Sequence, residues 1–100
     1  MFSLFKKRAV AAPEARESAA QILIAVAEDS LTAAEGLKRF ESISKMFPDS
    51  GAGEDRLMNE SWHVLSHYDA DSDIRERDSE YAIAQKAGLR SLANRVRADK

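Results

Sequence analysis

Apolar residues recur at helical spacing in four segments of the chain, and no segment shows the period of two that a half-buried strand requires. The first segment begins at Pro13, a residue suited to the first turn of a helix. It continues into the run 22–27, which is apolar around almost the whole helix. Such a helix is expected to be covered on several sides, by its own bundle or by a second copy. A short buried strand is the alternative for this run, although the flanking alanines favour a helix.

The second segment has a local start signal and a local stop signal. Thr32 followed by Glu35 forms a capping box, so a helix is predicted to begin there, unless it continues the first helix with a bend. Pro48 ends this helix, because the residue before a proline is pushed out of helical geometry. Its apolar stripe consists of Leu37, Phe40, Ile43 and Phe47.

Two further helices are predicted after a loop at 48–53. The third runs from about Glu54 to Tyr68, the stretch 69–77 breaks the period, and Asp78 caps the fourth. Gly88 is expected to mark a close helix crossing. The apolar residues of the two helices are Leu57, Met58, Trp62, Leu65, Tyr68, Tyr81, Ala84, Leu89, Leu92, Ala93 and Val96.

The predicted fold is therefore all-α, a small antiparallel bundle of three to four helices formed by residues 13–100. There are three helices if the first two are continuous. Residues 1–12 are predicted to be a flexible N-terminal tail. At 100 residues the chain is one domain.

The composition limits both the core and the chemistry. Seventeen residues are alanine, and only 21 are Leu, Ile, Val or Phe, so the core is modest and a two-fold homodimer is expected to bury more surface. There is no cysteine, which excludes disulfides and a thiolate nucleophile. The longest apolar run is too short to span a bilayer. The order of apolar and basic residues at the N-terminus is not that of a secretory signal, so a cytoplasmic location is predicted.

Charge is unevenly distributed along the chain. The overall formal charge is −2, but residues 49–80 carry ten acidic and three basic side chains, whereas residues 81–100 carry five basic and one acidic. A dominant basic face is absent from this pattern, which argues against nucleic-acid binding. The acidic middle indicates either a solvated surface or a face for a basic protein partner.

The residues with the most chemical potential lie between Asn59 and Tyr81. His63 and His67 are four apart, and Glu60 shares their side of the predicted third helix. An i, i+4 histidine pair beside a carboxylate is typical of a zinc site, although no complementary ligand set occurs elsewhere in the chain. The alternative is a pair of partly exposed histidines next to Trp62.

A second possible ion site is the run of acids that follows. Asp69, Asp71, Asp73 and Glu80 occupy positions 1, 3, 5 and 12 of an EF-hand calcium loop. Position 6 requires glycine for its sharp turn but holds Ile74. The preferred interpretation is an inter-helix turn in which aspartates cap backbone N–H groups and Ile74 packs inward.

A weak membrane contact is conceivable through the apolar and basic residues Phe2, Leu4, Phe5, Lys6 and Lys7. No catalytic arrangement is evident, so an enzyme is not expected, and no cofactor is implied. The leading hypothesis is a non-enzymatic protein-protein interaction module, of the small adaptor, inhibitor or immunity type, with an acidic face around residues 54–80. Its expected partner-binding residues are Glu60, His63, His67, Asp69, Asp71 and Asp73; the alternative is an ion-binding helical protein.

Overall fold

A computed structural model describes residues 13–46 and 55–98, and these form five helices with no strand. The helices are α1 (Pro13–Ala27), α2 (Ala33–Met46), α3 (Arg56–Ala70), α4 (Ser72–Arg77) and α5 (Ser79–Ala98). The prediction of a small all-α bundle is confirmed. The described part contains no helix long and apolar enough to cross a membrane. The N-terminal tail, Phe47 and Pro48 lie outside the described residues.

The first two helices are separate, and a tight turn joins them. Asp29 follows α1 with φ 64, in the left-handed region that ends many helices. Thr32 and Glu35 form the predicted capping box, in which the Glu35 N–H donates to Thr32 Oγ1 at 3.1 Å. Lys86 on α5 fixes the turn from outside, because its Nζ lies 2.6 Å from Asp29 Oδ2.

Helix α1 is the centre of the bundle, as its apolar pattern predicted. It packs against α2, α3 and α5, and most closely against α5, to which it is antiparallel. The three alanines 15, 19 and 20 are fully buried, which allows the neighbouring helices to approach. Because α1 is covered by helices of its own chain, its apolar surface is no argument for a second copy.

The closest helix crossing lies at Gly36 on α2 and not at Gly88. A Cβ added at Gly36 would lie 2.9 Å from Val26 Cγ2 and 3.4 Å from Leu65 Cδ2. A Cβ added at Gly88 would meet no atom within 4 Å, so the expected crossing there is wrong. Gly36 is therefore the residue that lets α1, α2 and α3 meet.

Trp62 lies at the edge of the core. It is partly buried, and its ring is tilted by 59° against that of Phe40, with 6.4 Å between the centroids. Its aromatic neighbour is thus on α2. The centre of the core is aliphatic; its largest fully buried apolar side chains are Leu23, Val26, Ile43, Met58, Leu65, Leu89 and Val96.

Candidate functional site

The outer face of α3 presents three of the predicted site residues together. Glu60, His63 and His67 are all exposed, and their spacing of three and four places them on one side of the helix. Glu60 Oε2 lies 3.5 Å from Arg95 Nη1 on α5, so it forms an ion pair across the α3–α5 groove. The opposite side of α3 is buried through Met58, Ser61, Leu65 and Tyr68.

A zinc site at the two histidines lacks further ligands in the structure. Within residues 13–46 and 55–98, no group of three or more His, Asp or Glu side chains is placed to hold a metal ion. A closed zinc site uses four protein ligands and a catalytic one uses three. The pair His63 and His67 therefore stands as an exposed imidazole pair on a helix surface.

The segment 69–80 has the highest density of acidic groups in the described structure, and we call it the acidic end. It comprises the end of α3, all of α4 and the start of α5, with six acidic and two basic side chains. Its formal charge is −4. The exposed carboxylates belong to Asp69, Asp73, Glu76, Asp78 and Glu80.

Asp71 differs from the other acids because its carboxylate is used inside the structure. Asp71 Oδ2 accepts hydrogen bonds from Tyr81 Oη at 2.8 Å and from Gln85 Nε2 at 3.1 Å. This bond to a carboxylate, with some burial, raises the pKa of the Tyr81 phenol above its ordinary value, because it favours the protonated form. Asp71 thus joins α5 to the α3–α4 junction.

Arg75 belongs to the same network. Its guanidinium lies 3.5 Å from the centre of the Tyr68 ring, donates to the Tyr68 carbonyl and donates to Gln85 Oε1 at 2.9 Å. The cation is therefore held against the bundle, while the neighbouring carboxylates Asp69 and Asp73 remain exposed. Arg75 and Gln85 carry no local sequence signal for this network, since the contacts that define them span seven to fourteen positions.

The calcium-loop alternative does not match the observed backbone. Asp69 lies in the last turn of α3, Asp73 in the first turn of α4 and Glu80 in the first turn of α5. An EF-hand needs a continuous twelve-residue loop that wraps around the ion. Here the same stretch is largely helical, so its acids do not converge.

The expected capping turn is also only partly observed. Asp78 caps α5, because its Oδ1 accepts from the Tyr81 N–H at 3.1 Å. Asp71 makes no side-chain cap to α4. Ile74 is 36% exposed, so the expectation that it packs inward is wrong.

A groove of about 310 Å³ runs between α3 and α5. Its apolar lining comes from Val64, Tyr68, Leu89 and Leu92, with Gly88 as a gap in one wall. The Glu60–Arg95 ion pair closes one end. The groove is open along its length, which suits a docking surface better than an enclosed reaction site.

Comparison of the chain with profiles of known protein families, with curated proteins and with solved structures gave no match.

Proposed function

We propose that this protein is a non-enzymatic protein-binding module whose acidic end binds a basic surface or segment of another protein. The observation that carries the proposal is the orientation of charge at this end. Arg75 is held against Tyr68, whereas Asp69 and Asp73 are exposed. The acidic end therefore exposes five carboxylates and one cation, Arg77, and keeps an outward charge of −4.

The framework around these carboxylates supports a preformed site. Asp71, Tyr81 and Gln85 are joined by hydrogen bonds of 2.8 to 3.2 Å, which fix α4 and the start of α5 relative to α3. A surface that is already ordered loses less entropy on binding. Electrostatic complementarity at such a surface mainly speeds association and selects the partner.

His63 and His67 extend the proposed site along α3. Both imidazoles are exposed and lie on the same side of the helix. They can donate or accept hydrogen bonds at the border of the acidic end. Glu60 and Asp71, the other two predicted partner-binding residues, serve instead through their bonds to Arg95 and Tyr81.

The test uses immobilised protein to capture partners from extracts of the native cell, followed by mass spectrometry. The variant Asp69→Lys/Asp73→Lys neutralises the formal charge of the acidic end while leaving Asp71 and its network in place. The matched control, Glu28→Lys/Glu41→Lys, makes the same change in net charge at exposed positions of the α1–α2 side. Circular dichroism verifies that both variants are folded.

The expected result is that a basic protein captured by the wild type is lost with the first variant and kept with the control. Equal capture by both variants would contradict the proposal. Loss with both variants would show that total charge, and not the acidic end, drives the association.

A further inference from the structure

The outer face of α5 is exposed along its length in the described part of the chain, where only Arg95 is engaged, through its ion pair with Glu60. Exposed residues at 80, 84, 87, 88, 91 and 95 follow one side of the helix, at spacings of four, three, one, three and four. The four central residues, Ala84, Ala87, Gly88 and Ser91, are small. The two end residues, Glu80 and Arg95, carry opposite charges. This face forms one wall of the α3–α5 groove.

Contacts among the described residues do not explain Gly88. Glycine in the interior of a helix is less stable than alanine, and is retained where another backbone or side chain approaches closely. At Gly36 such a neighbour is present, since Val26 fills the space. At Gly88 nothing lies within 4 Å of an added Cβ, so the open space faces outward.

The order of charges along this face is self-complementary. It therefore favours a second copy of the chain as the binding partner. The six positions are symmetric about the midpoint between Ala87 and Gly88, so that 80 matches 95, 84 matches 91 and 87 matches 88. When two such helices cross antiparallel about a two-fold axis at that midpoint, each Glu80 lies opposite the partner's Arg95. A parallel arrangement would instead place like charges together.

We propose that the outer face of α5 is a self-association surface, on which two copies pack antiparallel with Ala87 and Gly88 at the crossing. Small side chains at the crossing allow the helix axes to come close. A two-fold interface uses the same patch on both copies, so each favourable charge pair occurs twice. Ile83, the most exposed large apolar residue of the described chain at 68%, lies at the border of this face.

This surface shares Glu80 with the acidic end, but the two proposals can be tested at different residues. The α5 face can be blocked at Ala87 without changing Asp69 or Asp73, and the acidic end can be neutralised without changing Ala87 or Arg95. Failure of either proposal is therefore visible separately.

The natural absence of cysteine permits a direct geometric test. In the proposed dimer, Ala87 lies beside the two-fold axis, so oxidation of an Ala87→Cys variant should give a covalent dimer. The control is Ala34→Cys, an equally small and exposed alanine on α2. We expect the Ala87→Cys variant to link about a hundredfold faster at micromolar concentration, because a neighbour held in contact has a millimolar effective concentration.

Charge exchange then tests the orientation. In the Ala87→Cys background, Glu80→Arg should slow linking about tenfold, since two attractive pairs become repulsive. Adding Arg95→Glu should restore the rate. Sedimentation equilibrium of the wild type between about 10 and 500 µM provides the cysteine-free measurement, because a dimer must grow with concentration by mass action.

Three results would overturn the inference. The first is a wild-type protein that stays monomeric throughout that concentration range. The second is equal linking of the Ala87→Cys and Ala34→Cys variants. The third is a dimer whose linking rate is insensitive to both charge variants, which would place the interface on another face.

Discussion

Arg16 and Asp55, which are 39 positions apart, form a buried ion pair with 2.7 Å between Nη2 and Oδ2. The side chains are 4% and 0% exposed. Arg16 also donates to the Val96 carbonyl at 3.1 Å, and Asp55 caps α3 by accepting from the N–H groups of Leu57 and Met58. One polar cluster thereby joins α1, α3 and α5 at one end of the bundle.

Removing the cation from this pair should strongly destabilise the protein. Arg16→Met leaves the Asp55 carboxylate buried without its counter-charge, and we expect a loss of about 3–5 kcal/mol in the free energy of unfolding. Arg97→Met is the matched control, because Arg97 and Glu17 form a pair with similar distances on the surface. Its expected cost is much smaller, because the exposed pair is screened by solvent.

Urea unfolding monitored by circular dichroism measures both losses. The double variant Arg16→Met/Asp55→Ser removes both buried charges but keeps a side chain able to cap α3. It should be more stable than Arg16→Met alone. Similar small losses for Arg16→Met and Arg97→Met would refute the role assigned to the buried pair.

The two helical glycines should respond to alanine in opposite directions. Gly36→Ala forces a Cβ to within 2.9 Å of Val26, whose branched side chain has little freedom to move. We expect a net loss of about 1–3 kcal/mol despite the better helix propensity. Gly88→Ala meets no atom within 4 Å and should gain up to about 1 kcal/mol.

Thermal or urea unfolding at low micromolar concentration, where self-association is minor, provides the comparison for both glycine variants. A stabilised Gly36→Ala variant would show that α1 and α2 can separate without cost at their crossing.

Much of the fold was predictable because its signals are local. Pro13 and the capping box of Thr32 and Glu35 depend only on neighbouring residues, and the structure has helices where they indicated. The buried pair was not predictable, since Arg16 resembles an ordinary surface arginine until α3 and α5 are packed on α1. The close helix crossing expected at Gly88 lies at Gly36 instead, because the position of a crossing also depends on how the helices pack.

Within the acidic end, the structure differs from the predicted turn. The stretch 69–77 lacks an apolar stripe and was expected to be a turn, yet it contains α4. Asp73 in the first turn and Arg75 and Arg77 in the last turn complement the helix dipole, and this signal favours a short helix. The partners of Asp71 came only from the structure, because Tyr81 and Gln85 lie ten and fourteen positions away.

The Asp71–Tyr81 bond should be visible in a tyrosine titration. The chain has two tyrosines, so a Tyr68→Phe background reports on Tyr81 alone by tyrosinate absorbance. Replacing Asp71 with Asn in that background should lower the pKa of Tyr81 towards its ordinary value of 10.0. An unchanged titration would mean that the phenol is not bonded to Asp71 in solution.

The raised pKa of Tyr81 makes the free energy of unfolding depend on pH. The pKa of Tyr81 is raised in the folded state, so its contribution is complete below the ordinary value of 10.0. The contribution is lost as the pH rises through the raised folded value. Alkaline unfolding should therefore begin at a lower pH in the Asp71→Asn variant than in its parent.

Divalent ions should leave the melting temperature unchanged. A ligand that binds the folded state must stabilise it by mass action. Because the acids of the segment 69–80 are distributed over three helices, we expect no shift with millimolar calcium. A shift that disappears in Glu80→Gln would restore the calcium alternative, and a zinc-dependent shift that disappears in His67→Ala would restore the zinc alternative.

The antiparallel pairing of α1 with α5 has a consequence for protein synthesis. Glu17 bonds to Arg97 across 80 positions, and Arg16 reaches the carbonyl of Val96. Local helices can form early, but the central helix keeps an open apolar side until α5 has left the ribosome. Nascent chains stalled before residue 79 should remain sensitive to protease, and resistance should appear in one step once residue 98 has emerged.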